Sequence, residues 1–195
     1  MSKRSVHGSR GHAVLGRRAA CVFVALTLAA LGRIAVAAQS SLPEYQLKAL
    51  FLFNFTQFVE WPAASWAASD APLVICVLGD DPFGPHLDAA VRGEIVRGHP
   101  LLTKRLRQIE EVDGCHVLFV SESESARFGK ILTRIKGRSV LSVADSPGFV
   151  SAGGMIRFVM ADNKVHLRIN PNAVRAADLM ISSKLLRPAE LVEDD

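Results

Sequence analysis

Residues 153–192 read GGMIRFVMADNKVHLRINPNAVRAADLMISSKLLRPAELV. Ile156, Phe158 and Met160 alternate with Arg157 and Val159, Asp162-Asn163 supplies a turn, and Val165, Leu167 and Ile169 alternate with His166 and Arg168. That period of two predicts a hairpin with one apolar face. Asn170 suits an N-cap and Pro171 the first helical position, where no N–H is needed. Val174, Ala177, Ile181 and Leu185 then recur at helical spacing, which predicts one helix running to the stop at Pro188. An isolated hairpin is marginal in water, so hairpin and helix are expected to share the apolar surface they hide. Ser182-Ser183-Lys184 sets a serine beside a lysine, a nucleophile and base pairing. Neighbouring helix positions point apart, however, and these residues are expected to form a polar last turn with Lys184 near the negative helix end.

Upstream, Pro72 to Leu78 (PLVICVL) and Cys115 to Val120 (CHVLFV) are near-continuous apolar runs, the pattern of strands covered on both faces by helices. His99 to Leu106 reads as a further strand, Glu94 to Val96 as a short pairing segment, and Gln108 to Gly114 as a connecting loop. Pro85 to Val91 suits a helix. A second helix is expected from Ser121 to Ile135, with Phe128, Ile131, Leu132 and Ile135 inward and Gly137 as cap, followed by a strand over Ser139 to Val143. Strand, helix, strand, helix, strand predicts an α/β fold: one domain with a central mixed, mostly parallel sheet flanked by helices, closing in the hairpin and a C-terminal helix.

The turn Gly79-Asp80-Asp81-Pro82-Phe83-Gly84 follows the first buried strand. In such folds the crevice at the carboxyl ends of the strands takes ligands, and Asp80, Asp81 and Ser121 are its candidate lining. Two aspartates would repel phosphate, and no glycine-rich phosphate loop is present, so an ordinary turn is the expected role of 79–84. Near the other end, Pro43 to Pro62 (PEYQLKALFLFNFTQFVEWP) predicts a helix apolar on most sides. Leu47, Leu50, Phe51, Phe58 and Val59 form the stripe expected to close the core. Leu52, Phe53 and Phe55 would then need a second chain to cover them, since large apolar groups left in water are an aggregation liability.

The chain opens on a basic segment, passes through the apolar run Ala19–Leu31 and reaches the small residues Ala35-Val36-Ala37-Ala38. That order predicts a signal peptide over residues 1–38 and a mature domain over 39–195, with a retained N-terminal anchor as the alternative. Cys21 precedes most of the apolar run, the wrong place for lipid attachment. Six of the 23 basic residues and none of the 19 acidic ones lie within 1–38, leaving 17 basic against 19 acidic beyond. A slightly acidic domain without a basic stripe excludes nucleic acid as an expected partner. His86, His99, His116 and His166 stand without a G-x-S-x-G elbow or an H-E-x-x-H motif, so no catalytic residue is assigned and no enzyme is expected. Cys76 and Cys115 remain beyond residue 38; their even number and export favour a disulfide, two separate buried thiols being the alternative. They are too isolated for a tetrahedral metal site, and neither metal nor cofactor is expected.

YQLKALFLFNFTQFVEWP, the strand entering Gly79–Gly84, CHVLFVS and the closing block together resemble the YfiR family of exported bacterial proteins, over residues 43 to 190. The resemblance implies a periplasmic, non-enzymatic regulator that restrains an inner-membrane diguanylate cyclase through its periplasmic sensor region. Cyclic-di-GMP then stays low until an outer-membrane lipoprotein sequesters the repressor. It also implies a homodimer and a disulfide at Cys76 and Cys115, while the second cysteine pair of the family's namesake is absent. A periplasmic small-ligand sensor with a different membrane partner is the alternative function, and the two are compatible.

Overall fold

The computed structural model describes residues 43–192, and the signal peptide expected over 1–38 lies outside them. Among the described residues the chain runs through helix α1 (Glu44–Phe58), strand β1 (Val59–Glu60), β2 (Leu73–Leu78), α2 (Pro85–Val91), β3 (Ile95–Val96), β4 (His99–Leu106) and β5 (Val117–Val120). It continues through α3 (Phe128–Ile135), β6 (Leu141–Ala144), β7 (Ile156–Ala161), β8 (Lys164–Ile169), α4 (Pro171–Ala176), β9 (Met180–Ile181), α5 (Ser183–Leu186) and β10 (Glu190–Leu191). Eight strands form one mixed sheet in the order β10-β8-β7-β6-β5-β2-β4-β3. β2 lies in its middle, parallel to β4 on one side and to β5 on the other, and β5, β6 and β7 continue in parallel. The fold is the mixed, mostly parallel α/β sheet that the strand and helix spacing predicts.

Strand alternation divides the core into two layers. Ile75, Val77, Val117, Phe119, Leu141, Val143, Ile156 and Phe158 meet α1, α2 and α4 on one face. Cys76, Leu78, Leu118, Val120 and Ala144 meet Phe128, Ile131 and Ile135 of α3 on the other. Each Val, Leu, Ile or Phe among them, withdrawn from water, contributes about 1.5–3 kcal/mol. The hairpin β7–β8 forms through Asp162 and Asn163, at φ +50° and +57°, the left-handed pair that a two-residue turn requires to match strand twist.

Two expectations give way. The helix from Pro171 is capped as expected, Asn170 Oδ1 accepting from the Ala173 N–H at 2.9 Å, but it ends at Ala176. Asp178 takes φ +57°, its N–H donates to the Arg175 carbonyl at 3.0 Å and the Leu179 N–H to the Val174 carbonyl at 3.3 Å. These bonds satisfy the last carbonyls in a Schellman closure, with buried Val174 and Leu179 at its apolar contact positions. The chain then leaves as β9, antiparallel to β1 through Val59 opposite Ile181, and Ser182 caps the separate helix α5. Lys184 therefore stands in a first turn rather than at the end of a long helix. The helix expected from Ser121 likewise begins as a 3-10 segment, Glu122–Arg127, before α3 proper.

The second correction concerns α1. Lys48, Ala49, Leu52, Phe55 and Thr56 make its buried face, continued by Val59, whereas Leu50 is 39% exposed. Phe55 stacks on Phe158 at 5.7 Å between ring centroids. Phe51, Phe58 and Val59 of the stripe read from the sequence do pack on this core, but the helix is rotated far enough to set Leu52 and Phe55 inside and Leu50 outside, with Lys48 on the buried face. Among the described residues, no helix is long and apolar enough to cross a membrane.

Candidate functional site

The carboxyl edge of the sheet gathers the turns after β2, β5 and β6. The Asp80 N–H donates to Ser123 Oγ at 3.0 Å, and the Ser121 N–H to the Leu78 carbonyl at 3.0 Å, so the predicted crevice residues do share this edge. No gap separates the two turns at Gly79. It sits at φ +89°, and a Cβ there would lie 2.5 Å from Ser123 Oγ and 2.8 Å from Glu124 Cγ. Only glycine supplies both that backbone and that clearance. Asp81 turns away from the crevice line: Oδ1 accepts from the Phe83 N–H at 2.8 Å and Oδ2 from Arg105 Nε at 2.9 Å. Arg105 also donates to Asp88, to Thr103 Oγ1 at 2.9 Å and to the Gly84 carbonyl at 3.1 Å. Its fork thereby ties β4 to α2, and the Arg105 hydrogen bond holds the Asp88 carboxyl below the usual carboxylate range.

The first turns of α1 lie against this edge and bring in residues that sequence reading missed. Lys48 is 2% exposed; its Nζ donates to Asp145 Oδ2, just past β6, at 2.6 Å and is also paired with Glu44. The Tyr45 hydroxyl donates to the same Asp145 oxygen at 2.9 Å, and its ring packs edge-on against Phe83 at 5.5 Å. Burial, followed by the Asp145 charge, pushes the Tyr45 phenol well above its ordinary value. Chemically this is a satisfied, largely desolvated ion cluster that fixes α1 on the sheet. The signal available in the sequence was a lysine inside YQLKALFLF, whose apolar neighbours surround a charge that must find a partner.

Leu52 and Phe55 are both at 0% exposure within the core, leaving Phe53 as the one of the three predicted interface residues with accessible surface. Phe53 and Leu50 lie three residues apart and so share a helix face. Cys76 and Cys115 are joined by a disulfide, Cα to Cα 5.9 Å, inside the layer formed with α3.

The amino edge holds a second cluster. The Trp66 ring lies between His99, stacked at 3.6 Å between centroids, and His116, at 4.6 Å. His99 Nδ1 lies 2.7 Å from the Ala71 carbonyl, while His116 Nδ1 accepts from the Val74 N–H at 3.2 Å. The His116 carbonyl takes the Leu141 N–H at 2.8 Å and Trp61 Nε1 at 3.2 Å. Burial lowers the His116 ring below the ordinary histidine range, while the backbone of Ser65 and Gly114 nearby partly opposes it.

Among the described residues these features define a three-layer α/β/α domain that holds the Cys76–Cys115 disulfide and whose carboxyl edge meets the first turns of its own first helix. A family model described as YfiR/HmsC-like matches residues 45–190, and the chain belongs to that family. No curated protein matches the chain.

Proposed function

We propose that this protein is a periplasmic regulator that represses an inner-membrane diguanylate cyclase by docking on its periplasmic sensor region, and so lowers cyclic-di-GMP signalling. The observation that carries this reading is the family match, which spans nearly the whole described domain. The role is one of binding rather than catalysis, with residues 1–38 acting as a cleavable export signal. The docking or dimer surface is centred on the outward face of α1, where Phe53 and the 39% exposed Leu50 present apolar area beside the ordered core. Leu52 and Phe55 support that face from beneath. A homodimer using it would hide the same patch on both copies.

Co-expression with a YfiN-type cyclase carrying an affinity tag tests the docking. The protein should co-purify from detergent-solubilised membranes, and Phe53→Glu or Leu50→Glu should abolish recovery while leaving a folded domain by circular dichroism. Absence of the wild-type protein from the purified cyclase would refute the reading. A ligand-sensing role is compatible with it, since a repressor whose partner affinity changes on ligand binding is both.

A further inference from the structure

We infer that Arg157 and Arg168, which face each other across the β7–β8 hairpin, bind a phosphate group between them. The two are register partners in the antiparallel pair. Ile156, Phe158, Leu167 and Ile169 turn into the core shared with α1, so strand alternation sends both arginines to the opposite face of the sheet, the face that α3 covers elsewhere. Ala144, beside Arg157 in β6, is buried in the layer formed with α3. That cover stops short of the hairpin, because none of Arg157, Val159, Ala161, Lys164, His166 and Arg168 on this face is buried.

Like charges directly opposite on paired strands repel, their Cβ atoms lying about 4.5–5.5 Å apart. The protein's own compensation is Glu190, 61% exposed, which accepts from Arg168 Nη2 at 2.6 Å. Arg157 has no hydrogen bond or ion pair among the described residues. Its Nε is sealed from solvent, whereas Nη1 and Nη2 keep accessible surface and four N–H donors. Nη1 of Arg168 is open as well, on a side chain 40% exposed. The pair therefore carries one uncompensated positive charge, and its free donors sit at the surface on two neighbouring forks. A planar carboxylate matches a single fork edge to edge. A phosphate group directs oxygens to both forks at once, and its charge of about −1.5 to −2 at neutral pH offsets what Glu190 leaves. The site stands on this geometry and does not rest on the repressor reading.

Sodium phosphate titrated into the full chain by calorimetry at neutral pH and constant ionic strength, with sodium chloride in parallel, tests the free anion. Sedimentation with vesicles of phosphatidylcholine, alone or mixed in equal parts with phosphatidic acid, tests the same group on a lipid. Phosphate should give saturable heat and chloride none beyond dilution. Sedimentation with the phosphatidic acid vesicles alone assigns the group to a lipid headgroup, and its absence assigns it to a soluble ligand. Arg157→Gln should weaken phosphate about tenfold, and Arg157→Lys, which keeps the charge and loses the fork, should restore only part of the affinity. With the like-charge contact removed, Arg157→Gln should melt no lower than wild type in phosphate-free buffer, which separates lost binding from lost folding. Non-saturating heat, an equal response to chloride, or an unchanged phosphate affinity in Arg157→Gln or Arg157→Lys each overturn the proposal.

Discussion

Lys48 Nζ and Asp145 Oδ2 lie 2.6 Å apart across 97 residues of sequence, with side chains 3% and 10% exposed. An ammonium placed there is tolerated because a carboxylate meets it, and the pair fixes which face of α1 turns inward. Removing one partner leaves an uncompensated buried charge, so Lys48→Met should cost about 3 kcal/mol or more in urea unfolding. Lys48→Met combined with Asp145→Leu should recover much of that loss. Equal stability of the single variant and wild type would show that the pair does not hold the helix.

Tyr45 is the sole tyrosine of the chain, so phenolate absorbance near 295 nm reports it alone. Burial and the Asp145 charge raise its ionisation above that of the unfolded chain, so the folded state keeps a proton that the unfolded state releases. Stability from this group is intact below pH about 10 and declines as pH rises beyond it. The absorbance step should therefore coincide with loss of circular dichroism, whereas a step near pH 10 in the folded protein would show Tyr45 to be solvated.

His116 gives the opposite slope on the acid side. Its ring is held below the ordinary histidine range by burial, so as pH falls through about 6.5 the unfolded chain takes up a proton that the folded chain does not. Stability should fall as pH drops through about 6.5, and His116→Gln should flatten that part of the profile. An unchanged slope in the variant would assign the acid sensitivity elsewhere.

The disulfide joins residues 39 apart, for which the chain-entropy model gives about 4 kcal/mol. Cys76→Ser and Cys115→Ser should lower the melting temperature to a similar extent, and the double variant should add little. Titration of the unfolded, unreduced protein lacking residues 1–38, and with them Cys21, should find no free thiol; two reactive thiols would refute the bridge.

These relationships also mark what could be read from sequence. The hairpin was legible because Ile156 to Ile169 alternates cleanly around a two-residue turn, and the sheet because LVICVL and HVLFV are apolar without interruption. The break after Ala176 was not, since Ala177, Ile181 and Leu185 keep helical spacing while Asp178 takes the left-handed position more often filled by glycine or asparagine. The rotation of α1 was hidden for another reason. Leu50 and Leu52 are equally apolar, and the choice between them depends on where Lys48 finds its carboxylate, a long-range fact that no local period carries. The cluster of Tyr45, Lys48 and Asp145 was missed on the same ground, whereas Asp80, Asp81 and Ser121 were placed on one edge by strand order alone.

The most direct measurement is cellular cyclic-di-GMP in a strain carrying a YfiN-type cyclase, with and without this protein. The account predicts low nucleotide with the wild-type protein, and a rise on its deletion or with Phe53→Glu expressed at equal level. Cyclic-di-GMP that stays the same whether or not the protein is present would contradict repression outright.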